Sequence, residues 1–315
     1  MLTDRRLRTN RRRRLLLTPT ASTSLADLTG DGYDIGADGA NAIYNYTDGS
    51  GGNGGTGLTP ILDVISNTNR RFGGCSVSPD GTKAVALSYD GIIASFELST
   101  PYDLSTATQT GTSKPSLGTL CSAPMFTGAG NYVTYHASND TFYLLALATP
   151  YEVASTDTVT SSATEAQIMG YSASTDPIHT LSEDGTGIWS YGRVDVSTYT
   201  LTWTPLSVAY DLTSYGTVEH NSTNYTNVPG GPSGGSMIAQ DDGTRIHIFD
   251  GGTSDAMQQF DVAAFDPASG NTRTEDTSFD ITQDSVIASW SKDFSHVYLS
   301  GAFTSAGRCD VYGVV

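Results

Sequence analysis

An all-β fold assembled from repeated small sheets is what this sequence predicts, and three observations predict it. Composition is the first: 34 Gly and 17 Tyr, frequent Thr and Ser and almost no Lys favour strands and turns over helices. The second is patterning. Stretches such as Ala84-Val85-Ala86-Leu87 and Ile246-His247-Ile248-Phe249 alternate or run continuously apolar between turn residues, as strands do. The third is internal repetition with a long, regular period.

Each repeat opens with a short apolar strand and turns at a Ser-x-Asp-Gly-Thr-like corner. It then runs through two strands and closes in a polar Pro-Tyr-Asp-Leu-Ser-Thr-like stretch. The first copy turns at Ser78-Pro79-Asp80-Gly81-Thr82 and closes over Pro101-Tyr102-Asp103-Leu104-Ser105-Thr106. The second turns at Thr127-Gly128-Ala129-Gly130-Asn131 and closes from Pro150-Tyr151. The third turns at Ser182-Glu183-Asp184-Gly185-Thr186 and closes from Tyr210-Asp211-Leu212, the fourth at Asp242-Gly243-Thr244 and from Phe265-Asp266. The fifth turns at Asp293-Phe294-Ser295 and runs out at Val315. Corner positions Gly81, Gly130, Gly185, Gly243 and Phe294 are 49, 55, 58 and 51 residues apart. Gly reaches the positive φ of a tight corner without strain, and Asp caps such a turn through its side chain.

A repeat of about 50 residues with three or four short strands is the blade period of a β-propeller. A single small sheet cannot bury both faces, and radial stacking covers them while leaving only short edges. Residues 58–315 are therefore expected to make a propeller of five blades. The last copy lacks its outermost strand. Thr59-Pro60-Ile61-Leu62-Asp63-Val64-Ile65 is expected to supply it by pairing with the strand around Asp310 to Val314. A β-sandwich or an open solenoid is the competing architecture.

The corner Asp80-Gly81-Thr82-Lys83, the hydrophobic strand after it and the run Phe96-Glu97-Leu98-Ser99-Thr100-Pro101-Tyr102-Asp103-Leu104-Ser105-Thr106-Ala107 resemble the repeat of phage-encoded β-propeller proteins. The similarity is close in the first copy and decays through the others: the second has lost the Asp and the fifth the Gly. It extends over about four fifths of the chain. The shared motif is a scaffold, so the resemblance implies a virion component in a tail or surface appendage and brings no catalytic residues with it.

Charge divides the chain in two. Residues 1–17 contain Arg5, Arg6, Arg8, Arg11, Arg12, Arg13 and Arg14 against one acid, Asp4, a net charge of +6; everything after them sums to −23. The acidic body is repelled by nucleic acid and by anionic lipid. The arm has four readings. As a signal peptide it fails, because only Leu15, Leu16 and Leu17 follow the arginines where about 7–15 apolar residues are needed. A nucleic-acid tail and a solvated tail are the next two. The fourth, a docking arm, is favoured: guanidinium forks pair the carboxylates of an acidic partner, and Leu15 to Leu17 fill a groove beside them. Residues 18–57 read as a linker, rich in Gly, Ser and Asp, with one short strand near Ala42 to Tyr46.

The sequence has no apolar run near the roughly 20 residues of a membrane-crossing helix; the longest is Phe142 to Ala148. The three cysteines, Cys75, Cys121 and Cys309, lack disulfide or zinc spacing and read as small buried hydrophobes. Gly231-Pro232-Ser233-Gly234-Gly235 matches a nucleophile elbow by letter, without the strand-turn-helix context that chemistry requires. Gly52 to Gly57 matches a dinucleotide fingerprint, again without a βαβ unit. Asp27, Asp31 and Asp34 resemble the calcium loop of FG-GAP propeller repeats, with Thr29 at a usual Asp position and Asp34 one residue early. That leaves calcium and a plain Asp/Gly turn both open. His136, His179, His220, His247 and His296 are widely spaced, none at i+2 or i+4 from another, so no metal site and no cofactor is expected, and no catalytic residue either.

The expectation that follows is a structural protein of a bacteriophage virion, assembled in the host cytoplasm. It would be present in several symmetric copies and held by an acidic neighbour through its arm. The alternative is a glycan-binding receptor module on the same scaffold, with Tyr191, Tyr199, Trp203 and Tyr225 stacking on sugar rings; cross-strand packing of those rings is the preferred reading.

Overall fold

A computed structural model describes residues 42–45, 72–88, 92–102, 106–113, 124–137, 140–170, 177–193, 199–220, 236–250, 256–267, 272–276, 286–290, 296–301 and 308–313. Among them the chain is all-β, arranged as five separate four-stranded antiparallel sheets. β1 (Ala42–Asn45) stands apart in sequence. The first sheet is β2 (Phe72–Val77), β3 (Lys83–Ser88), β4 (Ile93–Leu98) and β5 (Ala107–Ser113). The second is β6 (Met125–Thr127), β7 (Tyr132–Ala137), β8 (Thr141–Ala146) and β9 (Thr158–Thr164), followed by a short helix α1 (Glu165–Met169). The third is β10 (Ile178–Leu181), β11 (Gly187–Arg193), β12 (Tyr199–Pro205) and β13 (Glu219–His220). The fourth is β14 (Ser236–Ala239), β15 (Arg245–Asp250), β16 (Ala256–Asp261) and β17 (Thr272–Asp276). In these four sheets the strands follow in chain order as a meander.

The fifth sheet holds β18 (Val286–Trp290), β19 (His296–Gly301) and β20 (Arg308–Gly313), and its fourth strand is β1. Ala42 pairs with Asp310, Tyr44 with Cys309 and Asn45 with Arg308. An N-terminal strand, Ala42–Asn45, completes the last sheet. Residues 59–65, expected to supply that strand, lie outside the described residues, and the described strands begin at Ala42. The first described strand thus pairs with the last.

Between consecutive sheets sit the apolar cores. Val85, Leu87 and Ile93 pack with Val133, Tyr135, Tyr143 and Leu145 between the first and second sheets. Phe142, Leu144, Ile168 and Met169 meet Leu181, Ile188 and Leu206 between the second and third. Trp189, Tyr191, Leu201 and Trp203 meet Met237, Ile246, Ile248 and Phe260 between the third and fourth. Strand β8 shows the consequence for sequence: Tyr143 and Leu145 face one neighbour, Phe142 and Leu144 the other, so the strand runs continuously apolar after Thr141. The first strands also approach one another in series: β2 with β6, β10 with β7 of the preceding sheet, β10 with β14, β14 with β18, and β18 with β2 again.

The repeated corner is a compact hydrogen-bonded unit. Asp80 Oδ1 accepts from Ser78 Oγ (2.6 Å), Thr82 N (3.0 Å) and Thr82 Oγ1 (2.9 Å). Asp184 Oδ1 repeats this with Ser182 Oγ (2.8 Å), Thr186 N (3.0 Å) and Thr186 Oγ1 (2.8 Å). Burial alone would raise both carboxyls, but these bonds to the ionised form outweigh it and hold both below the ordinary value of 3.8. The glycines that follow have φ of +74° (Gly81), +71° (Gly185) and +66° (Gly243), and Gly130 of the Asp-less second corner has +81°.

Against each glycine lies the aromatic ring of its own closing stretch. A Cβ at Gly81, Gly130, Gly185 or Gly243 would stand 2.4–2.5 Å from Tyr102, Tyr151, Tyr210 or Phe265. Each aromatic donates its N–H to the carbonyl of that glycine, at 2.9, 2.8, 3.0 and 3.1 Å in the same order. The hydroxyls of Tyr102 and Tyr210 donate further, to the carbonyls of Pro79 and Glu183. To reach this position all four aromatics adopt positive φ, between 54° and 62°. For a bulky residue that is a strained backbone, sustained here by the ring packing and the hydrogen bonds.

A bulge ties each of the first two sheets to the closing stretch of the next. Thr110 is the extra residue in β5 and Thr160 in β9. Beside the first, Ser95 Oγ accepts from Val153 N at 2.9 Å; beside the second, Ser161 Oγ accepts from Leu212 N at 3.1 Å. Gly111 occupies in the first sheet the position of Ser161 in the second, and a Cβ there would stand 1.9 Å from the Val153 carbonyl oxygen.

Two outcomes test this account. Gly185→Ala lowers unfolding free energy by roughly 2–4 kcal/mol, because it adds a left-handed Ala to a collision with Tyr210. Gly216→Ala, whose Cβ would meet Pro205 only at 3.3 Å, costs less than about 1 kcal/mol. Urea unfolding compares the two, and equal costs would remove the corner from its role. Asp184→Ala costs about 1 kcal/mol near neutrality through its lost hydrogen bonds. Because the folded-state pKa lies below 3.8, the contribution is present above that value and disappears as pH falls through the lowered one. The difference between variant and wild type should therefore shrink as pH falls below 3.8; a constant difference would contradict it.

Candidate functional site: a buried His-Glu-His cluster

Three side chains capable of binding a metal converge between the second and third sheets. His136 lies on β7, Glu165 is the first residue of α1, and His179 lies on β10. Their potential ligand atoms all fall within 4.8 Å of one another. His136 Nε2 is 3.1 Å from Glu165 Oε1. The His136 and His179 rings meet edge-on with centroids 5.0 Å apart, and Phe142 tilts against His179 at 5.4 Å. All three residues are withdrawn from solvent, at 0, 4 and 4 % exposure for His136, Glu165 and His179.

Local structure accounts for each position. The glutamate arrives because the chain forms one turn of helix instead of a plain connection. Thr164 starts it, its N–H donating to Gln167 Oε1 at 2.8 Å, and Gly170 stops it at a φ of +73°. The Glu165 N–H donates to the Asp140 carbonyl at 3.0 Å, which pins the helix start on the β7–β8 hairpin and so beside His136. His179 is held by Ser190 of the neighbouring strand, with Nδ1 and Oγ 2.7 Å apart. Its Nε2 is buried and has no hydrogen-bond partner. Burial, reinforced by the neighbouring His136, keeps His179 well below its ordinary 6.5, so it is neutral. A neutral imidazole with its other nitrogen engaged has the electronic form of a metal ligand.

Spacing along the sequence does not show this cluster, since its members come from three elements and two sheets. The Thr164-Glu165-Ala166-Gln167 capping box was the one readable signal: it marks a helix start that carries an acid. Of the other histidines, His247 lies on β15 and is buried; burial and then Arg245 push it down to about 3, with Asp261 opposing. His220 and His296 lie on β13 and β19.

The aromatic residues expected to stack on sugars are in the interior. Tyr191, Tyr199 and Trp203 are 0, 3 and 6 % exposed. Trp203 is directly opposite Trp189 across β11 and β12, with ring centroids 4.9 Å apart, and Tyr191 stacks on Tyr199 at 5.6 Å. These rings face the fourth sheet and cannot offer a face to a glycan, because period-two alternation in a strand covered on both sides leaves no solvent side. Tyr225 lies outside the described residues, as do the arm from Arg5 to Leu17, the Asp27, Asp31 and Asp34 loop, Ser233 and Cys121. Cys75 is buried on β2.

An open hollow of about 630 Å³ lies at the corner end of the second and third sheets. Tyr132 and Tyr210 stack in its wall with centroids 4.6 Å apart, and Glu183, Asp184 and Asp241 line it.

No protein-family model matches this chain, and no curated protein sequence matches it. No helix among the described residues is long and apolar enough to cross a membrane.

The titration of His247 is directly testable. Its folded-state pKa is below that of the unfolded chain, so the unfolded state binds the extra proton and stability falls as pH drops from 6.5 toward about 3. The slope reaches at most roughly 1.4 kcal/mol per pH unit. Urea midpoints measured between neutral and mildly acid pH should fall less steeply for His247→Gln than for wild type. Identical slopes would show that His247 is not the group responsible.

Proposed function

We propose that the five sheets form a five-bladed β-propeller and that this chain is a structural protein of a bacteriophage virion, docked through its N-terminal arm. The division of charge carries the reading. A +6 arm on a −23 body is built to hold a separate acidic surface while the body stays clear of nucleic acid. Arg5, Arg6, Arg8, Arg11, Arg12, Arg13 and Arg14 supply guanidinium forks for carboxylates, and Leu15, Leu16 and Leu17 supply the apolar anchor. The architecture is supported by five four-stranded sheets, four of them meanders, at intervals near 50 residues, by cores lying between successive sheets, and by contact of β18 with β2. A two-layer sandwich would instead bury one face of each sheet. Completion of the last sheet by Ala42–Asn45 pairs the first described strand with the last and suits a rigid module projecting from a particle.

Particles assembled with a chain lacking residues 2–17 should contain none of it by mass spectrometry. In intact particles, raised salt should release the protein, because exposed Arg-carboxylate pairs are screened. Normal incorporation of the truncated chain would overturn the docking arm.

A second reading, a glycan-binding module of a phage adhesion apparatus, is favoured by the hollow with its Tyr132–Tyr210 stack and carboxylate rim. On a glycan array the protein would then bind, and Tyr132→Ala would abolish binding. Silence on the array leaves the structural role alone.

A further inference from the structure

We propose that His136, Glu165 and His179 bind a divalent transition-metal ion of the zinc class, and that this ion ties the second sheet to the third. Two imidazoles and one carboxylate form a donor set that suits zinc, cobalt or nickel and discriminates against magnesium and calcium, which prefer all-oxygen shells. Geometry is close to what the ion needs. Tetrahedral donors at about 2.0–2.1 Å from zinc lie roughly 3.3 Å apart. His136 Nε2 and Glu165 Oε1 are at 3.1 Å, and no ligand pair in the cluster exceeds 4.8 Å.

The decisive feature is His179 Nε2. It is a buried nitrogen with no hydrogen-bond partner, beside a carboxylate and a second imidazole. An apolar side chain would fill that space without leaving a polar atom unsatisfied. Ser190 Oγ, 2.7 Å from Nδ1, is the outer partner that fixes the ring and leaves Nε2 as the donor. Ser190 is therefore a positioning residue.

Burial assigns the ion a structural role. With ligands at 0–4 % exposure the site is closed to substrate-sized molecules, and the three side chains supply three of the four positions that zinc takes. The ligands belong to β7, α1 and β10, so the ion would cross-link the β7–β8 hairpin, the short helix and the first strand of the next sheet. Binding to the folded chain alone stabilises it in proportion to ion concentration.

The test uses the full chain without a histidine tag. After dialysis against chelator, wild-type protein is titrated with zinc chloride, and bound metal is measured by mass spectrometry after desalting. Uptake should saturate at one equivalent, and the melting temperature should rise by roughly 5 °C or more at a hundredfold excess over Kd. Cobalt in place of zinc should give the visible absorption of a tetrahedral site, and magnesium should change nothing. Ser190→Ala, which keeps all three ligands, should weaken zinc about 10–100-fold. His179→Gln should abolish uptake; if it does not fold, the wild-type titration and Ser190→Ala still decide. Wild-type protein that retains well under one equivalent and melts at the same temperature with and without zinc overturns the proposal. The three side chains are then a hydrogen-bonded cluster only.

Discussion

Everything else in this molecule depends on an aromatic ring closing over a glycine. Four times, the residue that begins the closing stretch of a sheet folds back onto the corner between the first and second strands of that sheet. Tyr102 covers Gly81, Tyr151 Gly130, Tyr210 Gly185 and Phe265 Gly243. The aromatic takes a left-handed backbone conformation to do so, which costs on the order of 1–2 kcal/mol per site. Ring packing, the N–H bond to the glycine carbonyl and, twice, a hydroxyl bond to the turn offset that cost. The result is a fixed path for the chain from the third strand into the fourth strand of the same sheet. Glycine is required twice over at such a corner: for its φ and for the space its missing Cβ leaves.

Stacking of successive sheets sets the burial pattern. Each sheet meets the next through a face of its central strands, so β8 and β11 are covered on both sides. Apolar residues at successive positions then divide between two cores instead of marking an inner and an outer face. That arrangement also consumes the aromatic surface. Trp189, Tyr191 and Trp203 fill the gap between the third and fourth sheets, and the same alternation that places them there removes them from recognition. Hydroxyls at the bulges complete the joint. Ser95 and Ser161 come from different strands yet satisfy equivalent backbone donors in the next sheet, the glycine at 111 making room where the serine is displaced.

The His136, Glu165 and His179 cluster is a product of the same stacking. Apolar pairs such as Phe142 and Ile188 fill much of this joint, and burying polar groups there is unfavourable unless they are paired. The helical turn at Glu165 replaces a direct connection, and it brings a carboxylate into a space that would otherwise hold two imidazoles and a phenyl ring. Its own backbone donor is satisfied by the hairpin turn at Asp140, so the carboxylate is held at the joint by main chain and not by its own side-chain contacts alone.

What the sequence by itself determined is what local chemistry controls: strand-forming runs, the Ser-x-Asp-Gly-Thr corner, the positive φ of Gly81, Gly130, Gly185 and Gly243, and the period that separates one sheet from the next. The Tyr102, Tyr151, Tyr210 and Phe265 positions were legible as a recurring element, though not their left-handed backbone, because nothing near them in sequence requires it. Tertiary structure decided the rest. That Ala42–Asn45 pairs with Arg308–Gly313 depends on a ladder more than 260 residues away along the chain. Whether Tyr191 faces solvent or a neighbour depends on there being a fourth sheet to face. Convergence of His136, Glu165 and His179 depends on the distance between sheets, and spacing along the chain contains no measure of that distance.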